Sequence, residues 1–120
     1  MLVDDEPDLL MVVTTMLESK GYRVHGFIDP AKASTHVKDC KDCGILISDI
    51  RMPIINGFQL VRAVKKVSPD MKVLLMTAFE IHEKEWQQTL PSTEVDHFLT
   101  KPFDSATLVE AIEKCAEVVH

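Results

Sequence analysis

Carboxylates, a hydroxyl and an ammonium group follow apolar segments at several points along the chain. Asp4 and Asp5 come directly after "MLV", and Asp49 comes after "ILIS". Thr77 ends the run "VLLMT", and Lys101 follows "FLT". Carboxylates that lie close together repel each other and raise each other's pKa, which is tolerable when a hard cation lies among them. Mg²⁺ is such a cation, since it takes oxygen ligands, usually one or two carboxylates with water and phosphate.

A site with these groups has the chemistry for phosphoryl transfer. One carboxylate that is left partly free can attack phosphorus as a nucleophile and form an aspartyl phosphate. The charge that develops on the phosphoryl oxygens then needs a metal ion, a cation and a hydroxyl donor, and Lys101 and Thr77 fit the last two roles. Taken singly, these residues have plainer interpretations as a helix cap, a strand residue and a solvated lysine. Their joint order along the chain favours one shared site.

The hydrophobic pattern predicts five strands that alternate with helices. The predicted strands are 1–3, 22–27, 44–50, 72–78 and 96–100. Their apolar residues are continuous, which is typical of a parallel sheet covered on both faces. We therefore expect an α/β fold with a doubly wound five-stranded parallel sheet in the flavodoxin-like order 2-1-3-4-5. Ligands bind such a sheet at the carboxyl ends of its strands, where the polar residues above fall.

Capping residues mark the helices between these strands. Asp29 followed by a proline predicts a helix that runs to about residue 39, and Asn56-Gly57 predicts a turn or the entry to another helix. Gly57 also fits a turn that needs an unhindered backbone. Asp104 predicts the cap of a final helix, whereas residues 81–90 are only weakly helical.

Composition limits the classes of function. The 120 residues suit a single domain, 1–120, with the apolar and charged content of a globular protein. The formal net charge of −6 argues against nonspecific nucleic-acid binding, because neutralising phosphates needs a basic surface. The apolar runs are far shorter than the roughly 20 residues that span a bilayer, and the residues that follow Met1 do not predict secretion. We expect a cytoplasmic domain that contacts neither nucleic acid nor membrane directly.

Four motifs resemble those of the receiver domain of two-component response regulators, over essentially the whole chain. They are "LVDDEP" at 2–7, "SDIRMPIING" at 48–57, "LLMTA" at 74–78 and "FLTKPF" at 98–103. The resemblance implies that Asp49 accepts a phosphoryl group from a histidine kinase or histidine phosphotransfer protein in a phosphorelay. It also implies a Mg²⁺ (or Mn²⁺) ion held by Asp5 and Asp49, by Asp4 mostly through water, and by the backbone carbonyl of Arg51.

The resemblance further implies a switch that is read by other proteins. Thr77 and Lys101 would contact the phosphoryl oxygens, and the bond from Lys101 to Pro102 would be cis. Phe98 stands where the family keeps a rotating aromatic switch residue. The expected partners are a downstream output domain or target protein, with a phosphorylation-dependent homodimer as a further option.

Two other functions stay open on the sequence alone. One is a phosphorylation-independent pseudo-receiver, an interaction module that ignores Mg²⁺. The other is an aspartyl-phosphate phosphatase of the haloacid-dehalogenase type, which should carry a second Asp where Arg51 stands. We expect no enzyme beyond a domain that assists its own phosphotransfer and slow autodephosphorylation.

Several features depart from the family pattern or carry no assigned role. Only three residues precede Asp4, which predicts a short first strand and modest stability, or a sequence that lacks its true N-terminus. Residues 79–97, which include Trp86, are atypical, so the output mode stays open. Cys40 and Cys43 form a CxxC that we interpret as a loop with incidental thiols in preference to a redox or zinc site. The five histidines show no metal-ligand spacing and are expected at the surface or at strand edges.

Overall fold

The computed structural model describes residues 1–40, 44–50, 52, 56–77 and 95–117. Within these residues, five parallel strands form one sheet in the order β2-β1-β3-β4-β5. The strands are β1 (Leu2–Val3), β2 (Gly26–Phe27), β3 (Ile45–Asp49), β4 (Lys72–Thr77) and β5 (His97–Thr100). The helices are α1 (Pro7–Ser19), α2 (Pro30–His36), α3 (Gly57–Val67) and α4 (Ser105–Glu117). The predicted fold class and strand order are confirmed.

Helices cover both faces of the sheet because successive strand residues point to opposite sides. One face packs against α2 and α3 through buried residues that include Val3, Leu46, Leu75, Ala33, Leu60, Val61 and Val64. The other face packs against α1 and α4 through Leu2, Ile47, Leu74, Val13, Leu17, Leu108 and Ile112. The central strands are therefore buried on both sides, as their continuous apolar sequence predicted. No helix among the described residues is long and apolar enough to cross a membrane.

Capping interactions fix where the helices begin. The side chain of Asn56 accepts a hydrogen bond from the Gln59 N–H, and the Gln59 side chain accepts one from the Asn56 N–H, both at 2.9 Å. This capping box sets Gly57 as the first residue of α3. Asp29 and Asp104 accept from the backbone N–H groups of Ala31 and Thr107 at 2.9 and 2.8 Å. The predicted starts of these helices are confirmed.

Two predicted elements are at least three residues shorter in the structure. The second strand was expected over 22–27, but β2 contains only Gly26 and Phe27, because its neighbour β1 offers only Leu2 and Val3 for pairing. The helix expected to reach residue 39 ends at His36 and continues as turns. The predicted helical segment 81–90 and Trp86 lie outside the described residues.

Met1 adds backbone pairing to the short β1. Its α-amino group donates a hydrogen bond to the carbonyl oxygen of Ile45 at 2.8 Å, and its carbonyl accepts from the N–H of Ile47 at 2.8 Å. The first residue is thus held against the central strand β3, and the main chain reaches Asp4 in a fixed direction.

Candidate functional site

The register of the sheet brings the polar strand ends together. Val3 pairs with Ser48, so Asp4 and Asp49 follow on adjacent strands. Thr77 and Thr100 pair at the ends of β4 and β5, and the N–H of Lys101 donates to the carbonyl oxygen of Thr77 at 2.7 Å. These residues meet at the carboxyl edge of the sheet, as predicted.

Lys101 forms ion pairs with both buried aspartates. Its ammonium nitrogen lies 2.9 Å from Oδ2 of Asp49 and 3.3 Å from Oδ2 of Asp4. The Asp4 side chain is 1% exposed, and its Oδ1 also accepts a hydrogen bond from the N–H of Glu6 at 2.9 Å. The peptide bond from Lys101 to Pro102 is cis, as the resemblance implied. One lysine thus joins two strand ends that are 45 positions apart in the sequence.

Burial, hydrogen bonds and neighbouring charges together shift the pKa values of Asp4 and Lys101. Burial raises the pKa of Asp4 above its ordinary value, and the charge of Asp49 adds to the rise, while the Glu6 N–H and Lys101 oppose it. Burial would lower the pKa of Lys101, but the hydrogen bond to Asp49 and the charges of both aspartates raise it overall. Lys101 is therefore an ammonium ion at neutral pH. Its positive charge stabilises the ionised carboxylates, which burial alone would destabilise.

A third carboxylate completes an oxygen-rich group. Asp4, Asp5 and Asp49 each offer an oxygen, and these three atoms lie within 4.8 Å of one another. In octahedral Mg²⁺ coordination, with bonds of about 2.0–2.1 Å, neighbouring ligand oxygens are about 2.9 Å apart and opposite ones about 4.2 Å. A small inward movement of these side chains would satisfy that geometry, and the hard oxygen donors suit the ion. The oxygen donors of these residues therefore fit a divalent cation, and Asp5 is the partly exposed member of the group.

The end of β3 is packed tightly against the start of α3. A Cβ atom on Gly57 would lie 2.5 Å from the carbonyl oxygen of Asp49 and 2.9 Å from the Cα of Ile50. The Gly57 N–H donates to the Ile50 carbonyl at 2.8 Å, and the buried Ser48 hydroxyl donates to the Asp49 carbonyl at 2.9 Å. The sequence suggested an unhindered turn at Gly57, but not that the residue touches the backbone of Asp49.

The structure describes two of the remaining predicted site residues, Thr77 and Phe98, but not Arg51. Thr77 is 5% exposed at the end of β4. Phe98 pairs with Leu75 and is partly buried against the core on the α2 and α3 face. It does not join the carboxylate group, and its role as a switch stays a prediction. Arg51 lies outside the described residues, so the predicted ligand role of its carbonyl stays a prediction as well.

Comparison with known proteins agrees with this geometry. The sequence profile of the response regulator receiver domain matches residues 1–113. The chain is 35% identical over 117 residues to the transcriptional regulatory protein GlrR of Escherichia coli, covering 98% of this chain and 26% of that protein. It is 30% identical over 114 residues to the response regulator receiver protein CpdR of Brucella abortus, covering 95% of this chain and 92% of that protein.

Solved structures give the same result. The chemotaxis protein CheY4 of Vibrio cholerae is 27% identical with a TM-score of 0.85, covering 95% of this chain and 94% of that one. The response regulator protein TrrA of Thermotoga maritima, in complex with Mg²⁺-BeF, is 26% identical with a TM-score of 0.81, covering 95% of each chain. The chain spans about a quarter of the length of transcriptional regulatory proteins such as GlrR. With the family profile matched over 1–113 and the five strands in the expected order, the chain belongs to the receiver domains of two-component response regulators.

Proposed function

We propose that Asp49 is the phosphoacceptor of this receiver domain, in a Mg²⁺-dependent reaction assisted by Lys101 and Thr77. The observation that carries the proposal is the double ion pair of Lys101, which holds a cation 2.9 Å from Asp49 at the carboxyl edge of the sheet. Asp49 is also the member of the carboxylate group that ends the central strand β3.

The reaction is a substitution at phosphorus. A carboxylate oxygen of Asp49 attacks the phosphorus of a phosphohistidine on a kinase or phosphotransfer protein, and a P–O bond forms as the P–N bond breaks. The electron pair of the broken bond stays on the imidazole nitrogen, which takes up a proton. A divalent cation bound by Asp4, Asp5 and Asp49 would supply positive charge to the phosphoryl oxygens.

Lys101 changes its partner in this scheme. Before transfer its ammonium group is ion-paired with Asp49 and Asp4. Once the Asp49 carboxylate has become an acyl phosphate, the negative charge lies on the phosphoryl oxygens, and the ammonium group follows it. Thr77 ends β4 beside the same edge, which suits a hydroxyl donor to one of these oxygens.

The switching that is the family's role then requires a response in the neighbouring strands. We propose that Thr77 and Phe98 respond to the acyl phosphate, and that an output domain, a target protein or a second copy of the chain reads the change. Slow autodephosphorylation by water would return the domain to its resting state. The phosphatase alternative is not favoured, because "SDIRMP" has Arg51 where that class needs its acid/base aspartate.

Phosphoryl incorporation from acetyl phosphate, with and without Mg²⁺, tests the assignment. The wild-type chain should take up one phosphoryl group only with Mg²⁺, and Asp49→Asn should take up none. Asp8→Asn is the matched control, since Asp8 is an exposed aspartate in the first turn of α1 and should leave incorporation unchanged. Incorporation that survives in Asp49→Asn would refute the assignment.

A second measurement separates the pseudo-receiver alternative. The proposed function predicts that Mg²⁺ with beryllofluoride raises the melting temperature of the wild-type chain and leaves that of Asp49→Asn unchanged. If neither Mg²⁺ nor beryllofluoride changes the melting temperature of the wild-type chain, the result would support the pseudo-receiver and exclude the phosphoacceptor role.

A further inference from the structure

A second group of metal-ligating side chains lies at the opposite edge of the sheet from the carboxylates. His25, His36 and Cys40 each offer one ligand atom, and these atoms lie within 4.8 Å of one another. His25 directly precedes β2, and its carbonyl accepts a hydrogen bond from the Leu2 N–H at 2.9 Å. His36 is the last residue of α2, and Cys40 follows the turn after it. The site therefore joins the edge strand to the end of the neighbouring helix.

We infer that this group, which we call the imidazole–thiolate site, binds Zn²⁺ when Cys40 is reduced. Two imidazoles and a thiolate are the ligands that Zn²⁺ prefers, whereas Mg²⁺ and Ca²⁺ take oxygen ligands. With Zn–N bonds of about 2.0–2.1 Å and a Zn–S bond of about 2.3 Å, tetrahedral ligand atoms lie about 3.3–3.6 Å apart. Since the ligand atoms lie within 4.8 Å of one another, their separations need to close by at most about 1.2–1.5 Å, which side-chain rotation can supply.

The buried Nε2 atom of His36 supports a ligand role over simple packing. Its ring lies against His25 and Phe27, with centroid separations of 5.0 and 5.1 Å. The Nε2 atom of His36 is buried and makes no hydrogen bond with the described residues. A buried nitrogen without a partner is costly, and a metal ion would satisfy its lone pair. A ring needed only for packing would not require a nitrogen there.

The oxidation state of Cys40 controls this site. Cys40 is disulfide-bonded in the structure, and its partner sulfur lies outside the described residues. A dithiol reductant supplies two electrons and two protons, the S–S bond breaks, two thiols form, and the reductant becomes a disulfide. The Cys40 thiol then loses its proton as the sulfur binds Zn²⁺. Oxidation of Cys40 back to the disulfide would release the ion, so the fraction of chains that bind Zn²⁺ would depend on the fraction in which Cys40 is reduced.

Cobalt and zinc titrations of the reduced chain test the inference. With Mg²⁺ present to occupy the carboxylate edge, Co²⁺ should give a thiolate-to-cobalt charge-transfer absorption that one equivalent of Zn²⁺ abolishes. The disulfide form should give neither signal. Even changes to outer-sphere partners of metal ligands cost about 10–100-fold in affinity, so His36→Gln and Cys40→Ser should each weaken Zn²⁺ binding at least about 10-fold.

Two matched controls keep the test sharp. His97→Gln removes a histidine on β5, and Cys115→Ala removes the free buried thiol of α4, and both should retain wild-type affinity. Circular dichroism establishes that each variant is folded. Equal Zn²⁺ affinity in His36→Gln, Cys40→Ser and wild type would overturn the inference, as would undiminished binding by the disulfide form. The reduced Asp49→Asn variant should bind Zn²⁺ with wild-type affinity, because Asp49 is not part of the imidazole–thiolate site. The Zn²⁺ titration would therefore still test this inference if the phosphoacceptor assignment failed.

Discussion

Replacing Gly57 with alanine tests how the start of α3 positions the phosphoacceptor candidate. The added Cβ would lie 2.5 Å from the carbonyl oxygen of Asp49, whereas ordinary van der Waals contact begins at 3.4 Å. The obstacle is backbone on both sides, since the next neighbour is the Cα of Ile50 at 2.9 Å. No flexible side chain can move away, so α3 and the end of β3 must separate by about 1 Å.

The expected loss of stability follows from two opposing contributions. Overpacking a rigid contact costs about 1–3 kcal/mol, with the upper half of that range expected where backbone meets backbone. Alanine in a helix is favoured over glycine by up to about 1 kcal/mol. We expect Gly57→Ala to lower the free energy of unfolding by about 1–2 kcal/mol.

The same substitution should also slow phosphoryl incorporation, because it displaces the Asp49 carboxylate. Moving the Asp49 carbonyl by about 1 Å displaces its carboxylate from Lys101, and misplacement of this size can cost about 10²-fold in rate. We expect the initial rate of phosphoryl incorporation from acetyl phosphate to fall about 10–100-fold at saturating Mg²⁺.

Urea unfolding and the incorporation assay measure the two effects separately. Gly44→Ala is the matched control, because nothing lies within 4 Å of a Cβ built on Gly44. That variant should match the wild-type rate and lie within about 0.5 kcal/mol of its stability. If Gly57→Ala behaves like Gly44→Ala, the tight contact is wrong. If Gly57→Ala loses stability but keeps its rate, the contact does not position Asp49.

Four other outcomes follow from the charges and burial of single residues. Lys101→Met should lower the rate of phosphoryl incorporation about 10²-fold by removing an electrostatic stabiliser, and an unchanged rate would exclude that role. Asp5→Asn should abolish most of the rise in melting temperature caused by Mg²⁺, because it removes an accessible ligand; a full rise would exclude Asp5. Burial raises the pKa of Cys115 to about 11, so mass spectrometry should find this thiol unmodified by iodoacetamide at pH 8 in the folded chain and modified in urea. Burial, together with the charge of Lys114, lowers the pKa of His97. The unfolded chain thus binds more protons at this site, and stability should fall as the pH drops below about 6.5, less so in His97→Gln when urea unfolding is measured from pH 7.5 to 5.

The predictable part of the fold rests on local features that tertiary contacts reinforce. Ile45 to Ile47 form a continuous apolar run, and the polar residues Ser48 and Asp49 follow it, which marks both a buried strand and its end at Asp49. An apolar run that ends at a polar residue recurs at Asp4 and Thr77. Because parallel strands have their carboxyl ends at one edge, three local patterns were enough to predict that these groups meet.

The missed features depend on distances that sequence spacing does not encode. The length of β2 is limited by its partner, since only Leu2 and Val3 pair with it. Likewise, the spacing of the histidines along the chain does not indicate a metal site, whereas His25 and Cys40 meet because an edge strand and a helix end are adjacent in space. A rule based on neighbours in sequence cannot detect ligands that come from two separate elements.

The charge balance at the carboxyl edge indicates why phosphorylation should be felt beyond Asp49. Among the described residues, the edge holds three carboxylates and the Lys101 ammonium group, which pairs with two of them. With all three carboxylates ionised, these four groups carry an excess of two negative charges, which a divalent cation would balance. Phosphorylation replaces the single charge of Asp49 with about −1.5 to −2 on the phosphoryl group, which the cation alone no longer balances. Lys101 is the described cation already paired with this group, and its backbone N–H is bonded to the carbonyl of Thr77 at 2.7 Å. If the ammonium group moves towards the new charge, the backbone of Lys101 would therefore shift the ends of β4 and β5, which this hydrogen bond connects.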